Sequence, residues 1–163
     1  MLDVLASWAQ AGAWGYLAVA LGAALPWLEI LFVIPPAIAL GLDPTLVGVV
    51  ALLGNVLPVV AIVAGYARLD RWSRARRGRP LPGAEAGRRG SRGRRVLARY
   101  GVPGLALLGP LVTGVHLAVV IMLASGGRPR PALVWTSASL AAWTLALVVL
   151  TVAGVDAVTG GGD

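Results

Sequence analysis

Leu25-Pro26-Trp27-Leu28-Glu29, continuing through Ile30-Leu31-Phe32-Val33 to Ile34-Pro35-Pro36, is the stretch on which the fold turns. It lies within Val4 to Leu42, 39 residues whose single charge is Glu29. As one straight helix that run would be about 58 Å long, against a hydrocarbon core of about 30 Å. No polar loop divides it into two full crossings. Its prolines interrupt it instead, because each removes an amide donor and clashes with the preceding turn. A helix broken at membrane depth is tolerated only where protein or a wet cavity receives the exposed backbone groups. The reading is a re-entrant hairpin over about residues 14–40, with breaks at Pro26, Pro35 and Pro36.

The composition around this stretch requires a membrane. Of 163 residues, 58% are hydrophobic and only 13% charged, too few charges to build a water-exposed surface. Val4–Leu28, Pro44–Ala67, Tyr100–Gly127 and Pro131–Val155 carry no formal charge, and each is long enough to cross a bilayer as a helix. No positive residue precedes the first apolar run and Asp3 is acidic, so that run is expected to remain in the mature protein. The absence of cysteine excludes disulfides and thiolate chemistry. One histidine and seven acids are too few for a dedicated transition-metal site, and no cofactor is expected.

All fourteen basic residues are arginines, and twelve lie between Arg68 and Arg99. Few aromatic residues interleave with them, so a stacking platform for nucleic acid is not expected. A juxtamembrane arginine cluster instead sets topology and touches anionic headgroups, here through Arg88, Arg89, Arg94 and Arg95. The predicted organisation is a first membrane half over 1–67, an Arg-rich cytoplasmic loop over 68–99, a second half over 100–155 and a tail over 156–163. Within the loop, the Gly/Pro/Arg-rich stretch from Arg77 to Arg95 reads as flexible and solvated, and Arg94–Tyr100 as a short interfacial helical turn. The location is a cell membrane, the inner one, crossed more than once.

The second half repeats the pattern of the first. Gly109-Pro110, with Gly114 after it, marks a break in a hairpin over about 102–125, followed by a crossing helix over about 131–155. In the first half the crossing helix spans about 44–67. If the two hairpins dip from opposite sides, the fold is an all-α membrane protein built as two inverted repeats, each a re-entrant hairpin plus a full transmembrane helix. Interrupted apolar segments at corresponding positions of two halves point to a transport site.

Glu29 is the leading site residue, because a carboxylate within the bilayer usually faces a cavity or a partner and can carry a proton. The bland alternative is an interfacial marker or a half-helix cap. His116, six residues after Pro110, is the other titratable side chain of the apolar segments. If the hairpin tips meet, it pairs with Glu29; otherwise it bonds a backbone carbonyl. Asn55, in Gly54-Asn55-Val56-Leu57-Pro58, and Thr113 are polar lining residues, able to bond a neighbouring helix or carbonyls freed by proline. Ser137, Ser139 and Thr144 read the same way. No acidic cluster, second histidine or nucleophile–base pair stands at a readable spacing, so enzyme chemistry is not expected.

Leu25-Pro26-Trp27-Leu28-Glu29, Ile34-Pro35 and Leu53-Gly54-Asn55-Val56-Leu57-Pro58-Val59 resemble the putative small multi-drug export protein family. So does Arg99-Tyr100-Gly101-Val102-Pro103-Gly104-Leu105-Ala106-Leu107, leading to Pro110, Thr113 and Gly114. That family is similar in layout to the DedA (VTT-domain) membrane proteins. The resemblance implies export of small molecules. Through the wider group it also implies ion-coupled movement of lipids, including polyprenyl-phosphate carriers. One position departs: the family typically carries an arginine two residues after the glutamate, and this chain has Leu31, with His116 the candidate substitute. The expected function is ion-coupled export of a small amphiphilic molecule. A lipid or polyprenyl-phosphate flippase or scramblase and a non-transporting membrane assembly factor are the rivals. Membrane lipids and the substrate are the expected partners, and two full crossings leave little interior, so a homodimer is expected.

Overall fold

A computed structural model describes residues 12–26, 28–77 and 92–159. Among these residues the chain forms six α-helices: α1 (Gly12–Ala24), α2 (Glu29–Ala39), α3 (Pro44–Arg77), α4 (Arg92–Val112), α5 (Val115–Ala124) and α6 (Pro129–Thr159). Each of the two longest helices, α3 and α6, is preceded by two shorter ones. Of the described helices, α3 and α6 are long and apolar enough to cross a membrane. Many of their large apolar side chains face outward, including Leu145, Leu150 and Val158 on α6 and Leu53 and Leu57 on α3. In water such a surface would aggregate; in a bilayer it is the expected outer face.

The helix ends follow from local chemistry. Asp43 caps α3, its Oδ1 accepting the Leu46 amide at 2.8 Å, and Pro44 takes the first helical position, where a missing amide costs nothing. Upstream, α2 ends in a Schellman turn: the Gly41 amide donates to the Ile38 carbonyl, the Leu42 amide donates to that of Ala37, and Gly41 has φ +90°. The helix α5 ends the same way. Gly126, again at φ +90°, donates to Leu123, and Gly127 donates to Met122. Both long helices therefore begin after the same Gly-x-x-Pro signal, Gly41 to Pro44 and Gly126 to Pro129.

The chain forms two compact units that cut across the halves expected from sequence. The first comprises Met1–Val56 with Leu140–Asp163, and the second comprises Leu57–Ser139. In the first unit α1 packs on α2, with Gly22 against Val33. Helix α3 presses on α1 so closely that a Cβ at Gly54 would lie 2.3 Å from the Ala20 carbonyl oxygen. Gly48 faces Thr144 and Val148 of α6. Ile30, Ile34, Val47, Ala51 and Leu140 are fully buried in this unit. In the second unit α4 packs on α5, where a Cβ at Gly109 would come within 2.9 Å of the Ala118 Cβ. Val115, Val119, Met122 and Leu123 turn one face of α5 inward, while Leu117 and Val120 face out. That spacing is a helical stripe.

Several sequence expectations move. Pro26 does mark the first break, but Pro35 and Pro36 lie inside α2, and Gly109 and Pro110 lie inside α4. The second break is at Gly114, with φ +81° and ψ 148°, a conformation that L side chains avoid. Pro110 is tolerated for a specific reason. Its missing amide frees the Ala106 carbonyl, and the buried Ser139 hydroxyl donates to that oxygen at 2.9 Å. A second proline-adjacent kink falls at Gly101 (φ +67°, ψ 179°), which separates the basic first turns of α4 from the apolar remainder. The long helices also exceed the expected spans of 44–67 and 131–155. Much of the Arg-rich segment, 68–77 and 92–99, is helical rather than loop.

Candidate functional site

Glu29 occupies the bend between α1 and α2. Pro26 cannot donate an amide, and the chain turns over the Leu25 carbonyl, which accepts the amides of both Leu28 and Glu29 at 3.3 Å. Closing this turn forces Glu29 to φ +38°, the only positive φ at a non-glycine residue among the described ones. A side chain in that region is strained by about 1–2 kcal/mol, and such strain tends to gather at functional positions. The residue is only 4% exposed. Its place in the first turn of α2 sets the carboxylate at the positive end of the helix, worth about 0.3–1 kcal/mol to an anion. A buried acid, a strained backbone and a helix start thus converge on one residue.

His116 holds a comparable place in the second unit. It follows the Gly114 break as the second residue of α5 and is 5% exposed. Glu29 belongs to the first unit and His116 to the second. Leu31, where an arginine was expected, is half-buried on α2.

Asn55 is fully buried, and neither its Oδ1 nor its Nδ2 has a hydrogen-bond partner. It therefore neither bonds a neighbouring helix nor satisfies the carbonyl that Pro58 frees, the two roles the sequence offered for it. The Thr136 and Thr144 hydroxyls are likewise buried without partners. Thr113 is exposed at the break, its hydroxyl donating only a long 3.4 Å bond to the Gly114 carbonyl. Pro35 and Pro36, inside α2, line an open apolar groove of about 630 Å³ with Ala39, Thr151, Gly154 and Val155. Arg88 and Arg89 lie outside the described residues, as do the side chains of Arg94 and Arg95. Among the described arginines, Arg74 pairs with Asp70 at 2.9 Å, Arg76 covers the Trp72 ring, and Arg99 covers Tyr100. Aromatic rings and guanidinium groups gathered past the apolar part of α3 are the usual furnishing of a membrane–water boundary. No group of three His, Cys, Asp or Glu side chains is placed to hold a metal among the described residues.

Residues 29–146 match one family throughout, from the strained glutamate to the middle of α6. The chain belongs to the putative small multi-drug export protein family. Together with α3 and α6, membership makes it a membrane protein. Searches of the curated proteins and of the solved structures returned no match. The family match includes Glu29, the Gly114 break, the Schellman turns, Asn55 and the Ser139 bond, while Pro26 and the first part of its turn lie just before it. Sequence reasoning singled out Glu29 and Gly114 and read Ser139 as able to bond a neighbouring helix, without naming Ala106 as its acceptor. The signal was present in the spacing of Pro110 to Ala106, a proline and the acceptor it frees, but the donor is 33 residues away in sequence.

Proposed function

We propose that the protein exports small amphiphilic molecules in exchange for protons, with Glu29 as the site that alternates between a proton and the substrate's cationic group. The observation that carries this reading is the Glu29 carboxylate itself, 4% exposed and held at φ +38° in the bend of an apolar hairpin. Such a carboxylate is costly in hydrocarbon and is retained where it does chemistry. A groove in the same unit, lined by Pro35 and Pro36, offers an apolar surface for the rest of the molecule. His116, at the break of the second unit, is the second proton-handling group. The chain acts as a transporter rather than an enzyme.

In this reading α1–α2 and the apolar parts of α4–α5 are re-entrant hairpins, and α3 and α6 are full crossings. The arginines near the end of α3 lie in the cytoplasm, which follows the positive-inside rule. The repeated Schellman turn and Gly-x-x-Pro start support an internal repeat whose halves enter from opposite sides. Two such chains form the working unit. The layout also fits DedA-like lipid movement, in which loss of Arg88, Arg89, Arg94 and Arg95 would outweigh loss of Glu29.

Export is tested with purified protein in vesicles carrying an imposed proton gradient. Wild type should move a small aromatic cation with a rate set by the gradient. Glu29→Gln should insert and fold normally, yet lose the gradient dependence. Undiminished, gradient-driven flux through Glu29→Gln would sink the proposal.

A further inference from the structure

We propose that Asn55 recognises a neutral donor–acceptor group, a hydroxyl or carboxamide, on the exported amphiphile; this rests on the export reading above. Asn55 is 0% exposed, and both polar atoms of its side chain lack a partner within the protein. An apolar residue of similar size would avoid the desolvation penalty of two buried polar groups, so packing does not account for an amide here. Nor can the helix readily turn to release it. At the preceding residue, α3 is seated on α1, where a Cβ at Gly54 would meet the Ala20 carbonyl oxygen at 2.3 Å.

That contact also fixes where the backbone of α3 beside Asn55 is seated on α1. Ala20 lies one helical turn before the end of α1 at Ala24, directly ahead of the bend that holds Glu29. Gly48, seven residues before Asn55 and so on the same face of α3, abuts Thr144, whose hydroxyl is also buried without a partner. Asn55 and Thr144 both belong to the unit that contains Glu29, while Thr136, likewise without a partner, belongs to the other.

The chemistry of the amide selects its guest. A carboxamide presents an acceptor oxygen and two N–H donors. A quaternary ammonium satisfies neither, a primary ammonium satisfies only Oδ1, and a phosphate or carboxylate satisfies only Nδ2. A hydroxyl or a second amide satisfies both. Water has the same capacity, so the test must separate a bound solvent molecule from a substrate group.

Equilibrium binding to the full chain in lipid vesicles does so with two probes that differ by one hydroxyl: benzyltrimethylammonium and benzyl-(2-hydroxyethyl)-dimethylammonium. Wild type should bind the hydroxylated probe about tenfold more tightly, the effect of one buried neutral hydrogen bond. Asn55→Leu should bring the ratio to about one while keeping the affinity for the plain probe, and Asn55→Gln should retain part of the preference. Equal affinities in wild type, or a preference that survives Asn55→Leu, overturn the proposal and leave Asn55 to water alone. Failure to bind either probe overturns both this proposal and cation export. Flux that ignores Glu29→Gln removes only the proton coupling, because the binding ratio does not depend on it.

Discussion

Replacing Ser139 by alanine tests how α4 carries a proline in its interior. The Ser139 hydroxyl donates to the Ala106 carbonyl at 2.9 Å, and both residues are buried. In an unbroken helix that carbonyl would accept the amide of residue 110, which proline lacks. Removing the hydroxyl leaves a buried acceptor with no local alternative. Orphaned groups of this kind cost about 1–3 kcal/mol, while side-chain hydrogen bonds measured within membranes average about 0.6 and reach about 1.7. The absence of a replacement donor argues for the upper part of that overlap, so Ser139→Ala should cost about 1–2 kcal/mol. Pro110→Ala supplies the missing amide. In that background Ser139→Ala should cost less than about 0.5 kcal/mol, giving a coupling of about 1 kcal/mol or more in the double-mutant cycle. Reversible unfolding of the four proteins in mixed micelles by added denaturing detergent measures the cycle. An equal penalty for Ser139→Ala in both backgrounds would refute the idea that the hydroxyl substitutes for the proline's amide.

Gly54→Ala places a methyl group against the Ala20 carbonyl and should destabilise by about 1–3 kcal/mol, whereas Gly65→Ala, which meets nothing within 4 Å, should be neutral or stabilising by up to about 1 kcal/mol; the same unfolding assay compares them. Glu29→Gly relieves the positive φ and should unfold later than Glu29→Gln by about 1 kcal/mol, a difference that vanishes if the bend is unstrained. Gly114→Ala should lower stability by about 1–3 kcal/mol, since its backbone lies in a region essentially confined to glycine. Single cysteines at positions 43, 90, 127 and 160 of this cysteine-free chain map its topology by membrane-impermeant labelling; labelling of position 127 from outside would defeat the second re-entrant hairpin.

What was legible in the sequence was whatever depends on solvent and on nearest neighbours. Long uncharged runs separated by arginines require a bilayer, because hydrocarbon rejects charge at any position along a span. Pro26 announces a break through a constraint that acts within a few residues, and the helix after residue 44 is read from its uncharged run. Glu29 stood out for the same reason, as the one charge in its run. The tertiary structure decided what each proline does. At Pro26 the freed Gly22 carbonyl takes the Leu25 amide in a tight turn and the chain bends, while at Pro110 the freed Ala106 carbonyl takes the Ser139 hydroxyl from another helix and α4 continues. Whether a freed carbonyl finds a donor on another helix is a question about another part of the chain, which local sequence does not contain. The same holds for Asn55. The sequence shows an amide in an apolar helix, and only packing reveals that no protein group answers it.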